Sequence, residues 1–327
     1  MSTAALAPIV RLAPAKLNLT LAVTGRRPDG YHDLHSVFVP LALADRLSLA
    51  PAAGREDSLH TTGPDPGPSA GNLVTRAIAA TRLAVGGGHA GGPGPAPALA
   101  ARLEKRIPVA AGLGGGSSDA AAAIDGAIEA WGAELAPDDR LALAAGLGSD
   151  VPFFLAGGPA LVEGRGERVA PLHGLRGAPG VLLVTPAVAL PTAQVFAAFA
   201  ALRGSGDGSV LMSSTHCAEE LRSGLAAADL VARAGVLAMA NDLFPAAAAI
   251  EPGLVPLRRA LSRLLARPIG LSGSGPTLWA LYPSATDAQA AATAVDEAID
   301  AGRLPAPGTG RPFVTATTIL ASTESQT

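Results

Sequence analysis

One stretch constrains this chain more than any other. Pro108-Val109-Ala110-Ala111-Gly112-Leu113-Gly114-Gly115-Gly116-Ser117-Ser118-Asp119 is a glycine-rich turn that runs straight into the alanine-rich segment 120–134. Glycines let the backbone approach a ligand closely and take positive φ, while Ser117, Ser118 and Asp119 are residue types that cap a helix start. A loop closing onto a helix N-terminus presents unpaired N–H groups and the positive end of the macrodipole, which together cradle phosphate. A plain surface turn beside a capped helix is the alternative, and four glycines followed by Ser-Ser-Asp favour the anion site over it.

Two better-known glycine motifs fit less well. A P-loop requires lysine at the helix entrance, whereas Gly116 is followed by Ser117. The dinucleotide fingerprint requires a third small residue after Gly112-x-Gly114 and an acidic residue ending a second strand. Ser117 fits the first requirement poorly, and Glu134 ends the helical segment instead. A cradle without its own lysine must meet a triphosphate with the helix dipole, a metal ion and a cation from elsewhere in the chain.

The 327 residues can bury a large core, and two domains are expected. A net charge of −3 with both signs dispersed and no basic run argues against a nucleic-acid partner and toward a small ligand. The single cysteine, Cys217, excludes an internal disulfide, fits a reducing compartment and is expected to be a buried small apolar residue. His32, His35, His60, His89, His173 and His216 show no zinc-ligand spacing. Pro8, Arg11, Pro14 and Lys16 interrupt the early apolar runs, and Asp150 and Pro152 interrupt the long one at 141–162. Neither a signal peptide nor a membrane span is expected, and the reading is cytoplasmic.

Alternation over residues 9–24 predicts one strand, with Leu17, Leu19, Leu21 and Val23 on the core face and Lys16 and Asn18 projecting together toward a cleft. Gly25-Arg26-Arg27-Pro28-Asp29-Gly30 is a turn by its Pro-Asp-Gly chemistry. Tyr31 beside His32 then offers either a stacking surface or a partly buried ring. Residues 37–49 read as strand broken near Pro40 and Ala44-Asp45, 60–71 as loop, and 72–85 as a helix capped by Asn72. A Gly/Pro loop at 86–97 precedes a strand at 98–107 that delivers the chain to the turn. A helix at 137–145 leads to Gly148-Ser149-Asp150-Val151-Pro152-Phe153, where Asp150 fits a cap, the commoner use, or an acid aimed at a site.

The boundary is placed so that 1–166 and 167–321 form two domains and 322–327 a frayed tail. Beyond it, Val181-Leu182-Leu183-Val184 is a buried strand, and a helix runs from Thr192, its cap, through Phe199 with Phe196 one turn in. Then come a polar loop at 204–214, helical segments at 219–237 and 241–266, and a second glycine loop at 270–277. A strand at 278–282, a helix at 285–301 and a strand at 313–320 close the chain.

Together these residues resemble the GHMP small-molecule kinases, the superfamily of galactokinase, homoserine kinase and mevalonate kinase. Pro108 to Ser118 resembles the family's glycine motif, and Ser272-Gly273-Ser274-Gly275 its C-terminal glycine loop. Pro14-Ala15-Lys16-Leu17-Asn18-Leu19, Gly25 to His32 and Gly148 to Phe153 are similar to the branch whose alcohol substrate carries cytidine diphosphate. Asn241-Asp242-Leu243 and Pro191-Thr192 with Phe196 add to that likeness.

The resemblance implies an α+β, two-domain fold: an N-terminal ATP-binding domain and a C-terminal ferredoxin-like α/β sandwich, with the active site in the cleft between them. It implies ATP and Mg²⁺ as cofactors and transfer of phosphate to a hydroxyl. Asp150 matches the catalytic aspartate, against the cap reading, and Lys16 matches its partner and supplies the missing cation. Pro108, Gly112, Leu113, Gly114, Gly115, Gly116, Ser117 and Ser118 match the triphosphate cradle, with Asn72 near the adenine. Asn18, Tyr31, His32, Thr192 and Phe196 match residues around the cytidine diphosphate, where aromatic rings stack on cytosine and His32 bonds its edge. Phe244, often glutamate in relatives, and the long 86–97 insert are departures away from this chemistry. A kinase for a simple alcohol such as homoserine or mevalonate is disfavoured by Arg26 to His32, and a non-catalytic nucleotide sensor by the intact Lys16, Asp150 and cradle. A monomer or weak homodimer is expected.

Overall fold

The computed structural model describes residues 7–86, 95–172, 174–202 and 208–321. The expected tail at 322–327, most of the 86–97 insert, and His89 and His173 lie outside the described residues.

The first strand divides in two, β1 (Ile9–Asn18) and β2 (Ala22–Arg26). The expected single strand breaks because its middle pairs elsewhere. Leu21 N–H donates to the Ala240 carbonyl at 2.7 Å and the Leu21 carbonyl accepts from Asp242 N–H at 2.9 Å, tying this segment to the C-terminal half. Every residue from Lys16 to Val23 is consequently buried, on both faces rather than one. The strand β3 (His32–Pro51) runs unbroken through Pro40 and Ala44-Asp45, contrary to the expected interruptions. Pro40 lies opposite Lys16, beside the bulge between Pro14 and Lys16 where ladder bonding is already irregular. Its free carbonyl accepts from Leu320 N–H.

A strand β4 (Ser58–Thr62) occupies the start of the expected loop, and α1 (Leu73–Val85) follows with Asn72 as N-cap, its side chain accepting from Val74 N–H. Next come β5 (Leu99–Glu104), α2 (Gly115–Trp131), α3 (Pro137–Leu147), α4 (Val151–Phe154), β6 (Ala160–Gly164) and β7 (Arg168–Pro171). The first sheet has the order β4-β5-β3-β6-β7, with β1 and β2 also pairing β3, so it runs on past residue 166. Ala120 to Ala123 of α2 are all buried, and their small side chains let the helix lie close against β1 and β3.

In the second half, β8 (Leu175–Arg176) precedes β9 (Gly180–Thr185), α5 (Thr192–Ala201) and α6 (Ser209–Ser223). The polar segment expected to be loop up to residue 214 is therefore helical from Ser209, and residues 203–207 lie outside the described residues. Where one helix was expected at 219–237, the chain instead ends α6, forms β10 (Leu225–Ala226) parallel to β8, and continues as α7 (Ala227–Ala232) and α8 (Ala234–Met239). Gly224, at φ 105, ends α6. The elements α9 (Phe244–Ile250), α10 (Leu254–Leu265), β11 (Gly270–Leu271), β12 (Leu278–Tyr282), α11 (Ala285–Asp300) and β13 (Phe313–Thr318) complete the chain. Their sheet, β11-β12-β9-β13, is antiparallel throughout and carries α11 against β9 and β13.

One apolar cluster joins the halves: Leu17, Val37 and Val39 of the first sheet share it with Leu183, Trp279 and Leu281 of the second. Each such buried aliphatic side chain contributes about 1.5–3 kcal/mol of transfer free energy. The two glycine loops meet at the edge of this seam. Cys217 is buried in α6, as expected, and burial pushes its thiol up to about 12. Among the described residues no helix is long and apolar enough to cross a membrane.

Candidate active site

The helix after the glycine turn begins earlier than its cap-type residues suggested. Gly114, in the left-handed region at φ 70, is the N-cap of α2 and offers no side chain to cap it. Ser118 N–H already donates to the Gly114 carbonyl at 2.9 Å, so Ser117, Ser118 and Asp119 are inside the helix rather than capping it. The N–H groups before Ser118 therefore have no partner in the helix ladder, and Gly115, Gly116 and Ser117 line a cleft of about 440 Å³.

The second glycine loop holds the first from behind. Ser272 Oγ donates to the Gly112 carbonyl at 3.0 Å and Thr277 Oγ1 to the Ala111 carbonyl at 2.6 Å. A Cβ on Gly112 would sit 2.3 Å from the Ser272 carbonyl oxygen, and one on Gly114 would sit 2.9 Å from Lys16 Cγ. Both glycines also have positive φ, so close approach and backbone conformation each demand glycine there. On the other side the Leu113 carbonyl accepts from Lys16 N–H at 2.9 Å, stitching the turn to β1.

That bond sets Lys16 beside the cradle. Its Nζ lies 3.7 Å from Asp150 Oδ2, donates to Asn18 Oδ1 at 2.6 Å, and stands 4.6 Å from the centre of the Phe38 ring. Burial pushes the Lys16 ammonium down, and the Asp150 carboxylate opposes that shift. Asp150 occupies the N-cap position of α4 but makes no side-chain cap bond, which corrects the cap reading of its position. Its side chain keeps 33% of its exposure while that of Lys16 keeps 5%. The pair is thus a buried cation facing a solvated acid at the cleft wall.

Lys16, Asn18, Asn72, Pro108, Gly112, Gly114, Gly115, Gly116, Ser117, Asp150, Thr192 and Phe196 all line this one cleft. Leu113 and Ser118 are buried behind the wall, and Tyr31 stands 54% exposed outside it. The His32 ring stacks on Phe196 at 5.2 Å with 22° between planes, and its edge meets Phe199. Burial first, then the Arg26 charge, lowers the His32 pKa and favours a neutral ring. Tyr31 packs under the Arg165 guanidinium, 5.6 Å from the ring centre. Thr192 does not cap α5; it is the first helical residue, and its hydroxyl pairs with Ser274 Oγ at 3.0 Å.

A second lysine, absent from the sequence-derived site, also lines the cleft. Lys105 Nζ donates to Asp119 Oδ2 at 2.7 Å and to Asp45 Oδ2, and all three side chains are almost wholly buried. Asp45 Oδ1 further accepts the N–H groups of Arg106 and Ile107. Burial, with Asp45 as a second carboxylate, pushes Asp119 up to about 7 against the pull of Lys105. The signal in the sequence was charge where none was affordable: an Asp inside a strand pattern, an Asp inside an alanine helix and a Lys at the end of the strand between them.

Comparison with known proteins identifies the family and the fold. The GHMP kinases N terminal domain model matches residues 72–158, and the GHMP kinases C terminal model matches 218–301. A 4-diphosphocytidyl-2-C-methyl-D-erythritol kinase from Pelotomaculum thermopropionicum is 40% identical over 84% of this chain and 88% of its own length. A crystal structure of 4-(cytidine 5'-diphospho)-2C-methyl-D-erythritol kinase superposes with a TM-score of 0.68 at 33% identity, covering 95% of this chain and 100% of that one. Homoserine kinase from Cytophaga hutchinsonii reaches the same TM-score at 20% identity, covering 99% and 98% of the two chains, a likeness of fold alone. Backbone shape therefore does not separate the branches, whereas sequence identity does, and the chain belongs to the GHMP kinases, in the 4-diphosphocytidyl-2-C-methyl-D-erythritol kinase branch.

Proposed function

We propose that the chain transfers the γ-phosphoryl group of ATP to the 2-hydroxyl of 4-diphosphocytidyl-2-C-methyl-D-erythritol, giving the 2-phosphate and ADP, in non-mevalonate isoprenoid precursor synthesis. The observation that carries this reading is the Lys16–Asp150 pair, 3.7 Å apart on the wall of the cleft that the glycine cradle lines. Phosphoryl transfer asks a protein mainly for positioning and charge stabilisation. Asp150 accepts or orients the proton of the attacking hydroxyl, and Lys16 stabilises charge on the phosphoryl group in flight. The unpaired N–H groups of Gly115, Gly116 and Ser117 receive phosphate oxygens, and Asn72 borders the adenine.

Two buried oxygens at the start of α2, Ser118 Oγ and Asp119 Oδ1, have no hydrogen-bond partner. They are hard donors of the kind Mg²⁺ takes alongside nucleotide phosphates, and Asp119, which lines the cleft, would hold it, with Ser118 directly behind. When bound, Mg²⁺ neutralises charge on the phosphate oxygens.

Asn18, Tyr31, His32, Thr192 and Phe196 form the acceptor end. Tyr31 offers an exposed ring to cytosine, while His32, already stacked on Phe196, presents a neutral edge for hydrogen bonding. Stacking is worth about 1–3 kcal/mol per base, so Tyr31→Ala raises KM for the cytidylyl substrate by roughly tenfold. An unchanged KM dismisses the stacking. The division at residues 166 and 167, past which β7 still pairs with the first sheet, a monomeric or weakly dimeric state and a cytoplasmic setting without nucleic-acid or membrane partners belong to the same reading. The dispersed charge of −3 bears only on the nucleic-acid partner.

The deciding assay measures ADP release with 4-diphosphocytidyl-2-C-methyl-D-erythritol, mevalonate and homoserine offered in parallel. Turnover with the first alone is the expected result. Turnover with either of the others would move the chain to another acceptor, and none with any would make it a nucleotide sensor.

A further inference from the structure

Lys16 is held from beneath by a buried polar chain running through Asn18 to Ser36 and Thr20, of which the proposed scheme uses only Asn18. The Asn18 side-chain nitrogen donates to Ser36 Oγ at 3.0 Å, and its oxygen accepts from Lys16 Nζ at 2.6 Å. Ser36 is fully buried on β3, and its hydroxyl donates to the Thr20 carbonyl. A serine hydroxyl carries a single hydrogen. With that hydrogen committed to Thr20, Ser36 can only accept from Asn18. The amide must therefore turn its NH₂ toward Ser36 and its oxygen toward Lys16. Flipped, it would set N–H donors against an ammonium and leave its oxygen facing a hydroxyl with nothing to give.

Thr20 is itself locked. Its Oγ1 accepts from Val37 N–H at 3.0 Å and pairs with Ser214 Oγ of α6 at 2.7 Å. Ser214 in turn donates to the His35 carbonyl at 3.1 Å and lies 2.9 Å from His35 Nδ1. The carbonyl on which Ser36 depends thus belongs to a segment fixed by β3 and α6 together.

We propose that Ser36 is a positioning residue of the phosphoryl-transfer site: it fixes the direction of the Asn18 amide, whose oxygen then holds the Lys16 ammonium opposite Asp150. This rests on the reading of Lys16 and Asp150 given above. Ser36 touches no substrate, so its loss acts on the chemical step through Lys16 and leaves nucleotide binding alone.

The test is steady-state ADP release by Ser36→Ala and Ser36→Cys, each first checked for a cooperative thermal transition. The thiol is somewhat larger than the hydroxyl, leaves no cavity, and both donates and accepts hydrogen bonds weakly. Both variants are expected to lose about tenfold in kcat, the equivalent of one hydrogen bond of net worth, with KM for ATP unchanged. In an Asn18→Asp background either oxygen can accept from Lys16, so adding Ser36→Ala is expected to cost no further turnover. Wild-type kcat in either folded variant, or a Ser36→Ala loss that adds in full to that of Asn18→Asp, overturns the proposal. If Lys16→Met retains turnover, the reading of the site itself fails, and this proposal falls with it.

Discussion

Two lysines line the same cleft and are put to opposite uses. Lys105 is spent: two buried carboxylates hold its ammonium, one from β3 and one from α2, and the three charges clamp the strand that delivers the glycine turn to the helix that receives it. Lys16 is kept in reserve. Its single carboxylate partner stands 3.7 Å away and a third exposed, and its closest bond is to a neutral amide. A charge matched by tight dry bonds has little left for a ligand, whereas a buried charge matched loosely gains most when a phosphate arrives. On the proposed reading, the tightly paired cation shapes the cradle and the loosely held one serves the chemistry.

The comparison breaks most visibly at Asp150. If the loose pair does the chemistry, Asp150→Asn lowers turnover by about 10²–10⁴-fold with nucleotide affinity nearly intact, measured by ADP release beside a binding titration. Near-wild-type turnover would remove Asp150 from its role and erase the contrast. Next in size is Lys105→Met, which strands Asp45 and Asp119 as buried carboxylates and costs about 3–5 kcal/mol of stability, read from urea unfolding. A smaller loss would mean that the cluster is not the clamp described.

A pH scan sharpens the same contrast more gently. Asp119 sits at about 7 against an ordinary 3.8, a raised value, so its contribution to stability is fully present below 3.8 and is lost as pH rises through about 7. Asp119→Asn keeps the Lys105–Asp45 bond and removes that titration. The unliganded variant should therefore show a flatter dependence of Tm on pH across this window than the parent chain. The smallest effect is expected from Lys16→Met. Because burial already lowers its pKa, replacing this lysine by an apolar side chain is neutral or slightly stabilising even as activity disappears. A large loss of stability would place Lys16 with Lys105 as a structural cation.

Local chemistry carried much of the fold and site into the sequence. The glycine turn and the alanine helix after it, the Asn72 cap, the buried strand at Val181 to Val184 and the projection of Lys16 with Asn18 all follow from spacing within a dozen residues. The misreadings came from the same locality. Pro40 and Asp45 looked like breaks in a strand, yet both lie within β3, where neighbouring segments take up the irregular bonding and the charge. Asp150 and Thr192 had the residue type and position of caps, but their side chains found partners in Lys16 and Ser274. Residues 9–24 alternated like one strand and were divided by bonds to Ala240 and Asp242.

The sequence by itself therefore determined that a glycine turn opens a helix in a two-part α+β chain, because φ preferences, caps and hydrophobic periodicity are properties of neighbours. Only the tertiary structure decided which lysine is loosely held. Lys16 and Lys105 are alike as residues, and each lies in or beside a strand of the same sheet. What separates them is whether Asp45, Asp119 or Asp150 comes within reach. That depends on how α2 and α4 pack over the sheet, a matter of long-range contacts that no local pattern encodes.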